Sequence, residues 1–261
     1  MKNVIVLSCA LLFTSVASAQ KTTGMSFVML PIFTRELPGA FDSVWETTFS
    51  AYNAGAQDAL YHPLRISFPT DGFPFFPAGA GYRVTGELGG QGSRIFWVER
   101  AHLQHFHFSL NFRDRSRQAQ SAGIDLPVVR ESEFADRITL VNVPIHANFR
   151  HSLRIYDAQP AHRVVRVRIS EFLGQNQPRT EPTSALAETI LTLKGEPTFD
   201  DVIWTHAAEE AIHNLTSVYP RLATVSALRI DIDPLEPGAK LWAFVAVTNN
   251  QTQEVTTVTP Q

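Results

Sequence analysis

The sequence predicts an all-β fold: two tandem immunoglobulin-like β-sandwiches with one short helix in the second. Three observations lead there. Short aromatic or β-branched runs recur along the chain, bounded by turn-forming residues. Gly and Pro gather between these runs, at 69–81, 86–92, 174–182 and 234–238. A strand–turn–strand pattern occurs twice, roughly 100 residues apart, which is the size of one immunoglobulin domain.

The N-terminus reads as a cleaved signal peptide over residues 1–19. Lys2 gives a basic start, Val4 to Phe13 an apolar core, and Ala17-Ser18-Ala19 a small-x-small cleavage site before Gln20. The apolar run is too short to cross a bilayer, and no later segment approaches the required length. The expected product is exported, either periplasmic or extracellular. The single cysteine, Cys9, lies inside the leader. The mature chain then has no disulfide, no thiol nucleophile and no thiolate metal ligand, which fits a bacterial export route. A hydrophobic content of 44% against 18% charged residues argues for a packed core rather than disorder. A net charge of −3 gives no basic footprint for nucleic acid.

The first sandwich is expected over 20–128, with strands at Val44–Tyr52, Leu60–Phe68, Arg94–Val98 and Phe106–Phe112. The charged stretch Arg130-Glu-Ser-Glu133 marks the junction, which spans 126–140. The second sandwich, 138–261, carries strands at Ile138–Val143, Ser152–Tyr156, Arg163–Ser170, Thr189–Leu193, Ser226–Ile232, Leu241–Val247 and Val255–Val258. Arg163-Val-Val-Arg-Val-Arg-Ile-Ser170 alternates charged and apolar side chains, the period of a half-buried strand. Trp204, Ala207, Ala208, Ala211, Ile212, Leu215 and Val218 instead follow helical spacing, with His206, Glu209, Glu210 and His213 opposite. A helix is therefore expected near 205–218.

The repeat aligns Trp45-Glu-Thr-Thr-Phe-Ser-Ala-Tyr-Asn-Ala54 with Phe149-Arg-His-Ser-Leu-Arg-Ile-Tyr-Asp-Ala158. Leu64-Arg-Ile-Ser67 then matches Val167-Arg-Ile-Ser170. Together with Asp42-Ser-Val-Trp-Glu-Thr-Thr-Phe49 and the C-terminal Leu241-Trp-Ala-Phe-Val-Ala-Val-Thr-Asn-Asn250 and its continuation to Pro260, these motifs resemble uncharacterised exported bacterial proteins with tandem immunoglobulin-like β-sandwich domains. The resemblance implies an architecture and assigns no catalytic residue.

The stretch His102-Leu-Gln-His-Phe-His-Phe-Ser-Leu-Asn-Phe112 is the densest candidate site. On one strand, Phe106, Phe108, Leu110 and Phe112 share a face, and His105, His107, Ser109 and Asn111 share the other. His105 and His107 could ligate a transition metal, whereas His102 has the wrong parity. Cupin-type jelly rolls follow such a pair with a carboxylate, but Asn111 and Phe112 stand there, and the nearest acids are Glu99 and Asp114. His206, Glu210 and His213, at helical spacing, form a second candidate ligand set. Arg113, Arg115 and Arg117 are candidates for holding an anionic glycan. Phe73, Phe75 and Phe76, in a Gly- and Pro-rich loop, are candidates for stacking on a sugar or a partner. Asp231 and Asp233 share a strand face and would serve glycoside hydrolysis only across a cleft.

Gly-x-Ser-x-Gly, a phosphate loop and a dinucleotide fingerprint are all absent, so no cofactor is expected. The sequence thus favours a non-catalytic exported binding or structural module, with an envelope protein or a glycan as partner. The alternatives are a metal-dependent hydrolase using His105 and His107, and a carbohydrate-binding module using the loop aromatics.

Overall fold

The computed structural model describes residues 24–62, 75–88, 92–117, 122–159, 162–174, 185–195, 199–200, 203–204 and 206–260. The expected leader, Phe73 and the Leu64–Ser67 copy of the repeat lie outside these. The fold is all-β, with four larger sheets and two short two-stranded ones among the described residues.

Sheet I runs Val129–Arg130, Met25–Leu30, Arg94–Glu99, Ala59–His62, Phe75–Phe76 in spatial order. Sheet II runs Ile124–Leu126, Phe106–Asp114, Val44–Asn53, Leu37–Pro38, and Gly81–Thr85 also pairs with Val44–Asn53. Sheet III runs Ala208–Ile212, Phe149–Asp157, Leu241–Asn249, Val255–Val258. Sheet IV runs Ile138–Pro144, Ala227–Pro234, Arg163–Glu171, Ala187–Leu193. Pairing within all four is antiparallel. Sheets I and II use residues up to 130, and sheets III and IV use residues from 138 onward.

Alternation sets which side chains meet. Phe96 and Val98 of sheet I face Phe49, Ala51, Phe106 and Phe108 of sheet II around a void of about 20 Å³. Leu153, Ile155, Ala243 and Val245 of sheet III share a second buried cluster with Val165, Val167, Ile230 and Ile232 of sheet IV. Sheet I is also covered on its other face. All six residues of Met25–Leu30 are buried, and Phe27 meets Trp97 edge-on at 5.6 Å. That cluster takes in Tyr156, Trp242 and Phe244 from the outer face of sheet III. The sheets therefore stack in the order II, I, III, IV, with aromatic side chains in the middle. Tyr156 is fully buried there, and its hydroxyl donates to the Pro31 carbonyl at 2.8 Å.

The expected strands are present within a few residues, except that Leu60–Phe68 is described only as far as His62. The helix expectation needs correction. Residues Ala208–Ile212 form a strand paired with Phe149–Asp157, and the α-helix is only Leu215–Val218, followed by a 3-10 turn at Pro220–Thr224. The cause is tertiary. An alanine-rich segment fits either period, and the open edge of sheet III satisfies its backbone while burying Ala208 and Ile212. Asn214, at φ 53°, then breaks the strand from the helix.

Candidate functional site

The strand that replaces the expected helix builds a polar recess at the sheet I–sheet III contact. Tyr156 stands opposite Glu209 in the register, and Arg154 opposite Ala211. Directly paired residues share a face, so Arg154, Tyr156, Glu209 and Ala211 all point toward sheet I. With Glu210 and His213 they line a cavity of about 170 Å³.

Glu209 reaches across to the chain entering sheet I. One of its carboxylate oxygens accepts the Ser93 N–H at 2.9 Å, and the Ala207 N–H donates to Ser93 Oγ at 3.1 Å. A Cβ on Gly92 would lie 2.8 Å from Glu209 Oε1, so a side chain there would force the carboxylate to shift. Burial pushes the Glu209 carboxyl above the usual carboxylate range, although Ser93, Arg154 and Arg94 pull the other way. Burial likewise raises the Tyr156 phenol. His213 is held below the usual imidazole value by burial and by Arg154, against Glu210. The recess is large enough for a small polar ligand.

No family model, no curated protein and no solved structure matches this chain.

The other candidates are distributed differently. His105 closes a 3-10 turn at Leu103–His105, and the strand begins only at Phe106. Both His105 and His107 are exposed. His107 lies alongside Tyr52 with ring centroids 6.4 Å apart and planes at 24°, while His105 meets Gln104 Nε2 at 3.3 Å. Among the described residues no three His, Cys, Asp or Glu side chains gather as a metal site. The His206, Glu210 and His213 set loses its helical basis. Glu210 and His213 both line the recess, but His206 precedes the strand Ala208–Ile212 and is not among the lining residues.

Arg113 bonds Glu46 at 2.8 Å, Arg115 bonds Glu36 at 3.0 Å, and Arg117 lies 3.6 Å from Asp114. Glu46 and Asp114 are buried, so these arginines serve as lids on acidic anchors. Phe76 is no loop contact. It is buried edge-on against Phe106 and Tyr61, both at 5.2 Å. Phe75 is 62% exposed. Asp231 is also buried, held by Arg229 at 2.9 Å and by Thr139 Oγ1 at 2.8 Å, which is a structural pairing.

The Arg154–Tyr156–Glu209 recess was hidden in the sequence because its parts come from two distant segments. The one local signal was Arg154 and Tyr156 alternating with Leu153 and Ile155, which marks a polar patch on a strand face.

Proposed function

We propose that this chain is a non-catalytic, exported binding or structural module of the cell envelope or extracellular space, built from two immunoglobulin-like sandwiches. The resemblance of the strand motifs implies the same architecture. The observation that carries the reading is the central aromatic contact, in which Phe27, Trp97, Tyr156, Trp242 and Phe244 belong to one buried cluster. Such a contact holds the two halves in one orientation, as a spacer or display module needs. Export is tested by fractionating producing cells and sequencing the N-terminus of the product. A chain retained in the cytoplasm with residues 1–19 intact sinks that part. The role is tested by co-sedimentation of the purified protein with isolated envelopes, together with an assay panel of generic esters, phosphoesters and glycosides. Turnover that is lost in Glu209→Gln or in His105→Ala/His107→Ala would replace this reading with an enzyme.

Carbohydrate binding is a second reading. It is favoured by Tyr52, 45% exposed beside the near-parallel His107 ring, and by exposed Phe75. A glycan array on the wild type and on Tyr52→Ala tests it, and binding unchanged by Tyr52→Ala removes that surface.

A further inference from the structure

We propose that the Ala187–Leu193 strand pairs, antiparallel and about a two-fold axis at Ile190, with the same strand of a second copy of this chain. The strand is the last in sheet IV, and among the described residues only Arg163–Glu171 pairs with it along its length. Its side chains show how open it is. Glu188, Ile190 and Thr192 are exposed, with Ile190 at 59%, and the inward-pointing Thr189 and Leu191 are only half-buried, whereas Leu193 is fully buried.

Strand edges are ordinarily guarded by Lys, by Pro, by a bulge or by an inward charge. None of these occurs between Ala187 and Leu193, and the register with Arg163–Glu171 runs without a shift. The one charge, Glu188, is already matched by Arg168 at 3.1 Å and Arg166 at 3.7 Å in its own chain. The edge is therefore close to neutral and can accept another strand without stranding a charge.

The sequence chooses the occupant and the register. Centring the two-fold at Ile190 sets the two Ile190 side chains against each other and each Glu188 against Thr192 of the second copy. Centring it at Glu188 would oppose two carboxylates directly, which destabilises a pair. Centring it at Leu191 would set Glu188 against Lys194, whose N–H and C=O already bond Glu209, and so would leave Glu188 outside the pairing. The chain leaves sheet IV at that bridge, so the pairing covers Glu188 to Thr192. The result is an isologous contact that joins two copies of sheet IV into one continuous sheet.

The test uses the full chain in a Cys9→Ser background, which leaves no other cysteine. Sedimentation velocity over a concentration series is expected to show a reversible monomer–dimer equilibrium. Ile190→Lys places two ammonium groups at the axis and should weaken association about tenfold or more, with far-UV circular dichroism and melting unchanged. Ile190→Cys should give a disulfide-linked dimer on mild oxidation, since residues facing across the axis sit about 5 Å apart. Glu188→Cys alone should not, because its copies would lie roughly 13 Å apart along the strands. Mixing Glu188→Cys with Thr192→Cys should restore the cross-link. A chain that is monomeric at every concentration, a dimer indifferent to Ile190→Lys, or faster linking at 188 than at 190 would each overturn the proposal.

Discussion

Asn53 and Asp157 close the same turn in the two halves of the molecule. Asn53 Oδ1 accepts the Gly55 N–H at 2.9 Å, and Asp157 Oδ1 accepts the Gln159 N–H at 2.9 Å. Each ends the strand that carries its copy of the sequence repeat, and each is fully buried. The repeat is thus accompanied by a shared Asx turn at matched positions. The remaining valences differ. The Asn53 amide donates to the carbonyls of Gln57, Phe76 and Pro77, whereas Asp157 pairs with Arg163 at 2.8 Å and accepts the Lys240 N–H.

Truncating either turn residue should therefore cost unequal amounts. Asn53→Ala strips partners from buried carbonyls and one amide and should destabilise the fold by about 2–3 kcal/mol. Asp157→Ala takes the nearest carboxylate from the buried Arg163 guanidinium, which keeps only the Pro237 and Gly238 carbonyls and Glu236 at 4.0 Å, and should cost roughly 3–5 kcal/mol. Asp157→Asn keeps the turn and should fall between wild type and Asp157→Ala. Urea unfolding of the three variants checks the order, and equal losses for Asp157→Asn and Asp157→Ala would assign the whole effect to the ion pair.

The central contact predicts that the two halves unfold together. Tyr156→Phe deletes the hydroxyl that donates to Pro31 O across that contact and should cost about 1–2 kcal/mol while keeping one transition. Trp242→Ala opens a cavity beside Tyr156 and Phe244, whose ring centroids lie 5.9 and 5.6 Å from its own, and should cost roughly 3–5 kcal/mol. Calorimetry should show a single endotherm for wild type and a broadened or split one for Trp242→Ala. Two endotherms in the wild type would mean the halves are energetically independent.

What was legible in the sequence follows from periodicity. Phe106–Asp114 and Arg163–Glu171 alternate because each has one face in a core and one face that is mostly polar, and both were readable. Phe149–Asp157 was readable too, although its second face buries Tyr156 against sheet I. Met25–Leu30 was not, since it is buried on both faces and its run of apolar residues lies just beyond the expected leader. Ala208–Ile212 misled because alanine carries no period of its own and the deciding partner, Phe149–Asp157, is remote in sequence. Among candidate sites, strand parity correctly separated the phenylalanines from His107 on Phe106–Asp114. It could not foresee that His105 falls in the preceding turn, that Phe76 plugs the first core, or that Glu209 meets Ser93. Those outcomes depend on which sheets stack, and no local pattern encodes that.

His151 should make the fold acid-sensitive. Its ring is fully buried, and Nε2 lies 2.7 Å from the Pro144 carbonyl, so Nε2 carries the proton and Nδ1 has no partner among the described residues. Burial holds its pKa below the ordinary 6.5, despite the Pro144 bond. The unfolded chain then binds a proton that the folded one resists. Its contribution is complete above the ordinary value and is lost as pH falls through the depressed one. His151→Gln can keep the bond to Pro144 and should flatten that part of the profile. Urea unfolding from about pH 7.5 down to about pH 5 measures it, and parallel profiles for the two proteins would clear His151 of the effect.

Glu209 should act in the opposite sense. Its carboxyl is raised above the ordinary 4.5 mainly by burial, so the folded chain holds a proton that the unfolded chain has released. Stability from this group is complete below the ordinary carboxylate value and declines as pH rises through the raised one. Glu209→Gln retains an oxygen to accept the Ser93 N–H and removes the charge that burial penalises. The variant should match wild type in acid and exceed it near neutrality, where wild type carries the buried carboxylate. Glu209→Ala lacks the acceptor, leaves the Ser93 N–H unsatisfied, and should lose about 1–3 kcal/mol across the whole range. Melting curves of the three proteins against pH separate the terms. A Gln variant less stable than wild type at neutral pH would show that Arg154 and Arg94 outweigh burial, and that the carboxylate is the form the junction was built to hold.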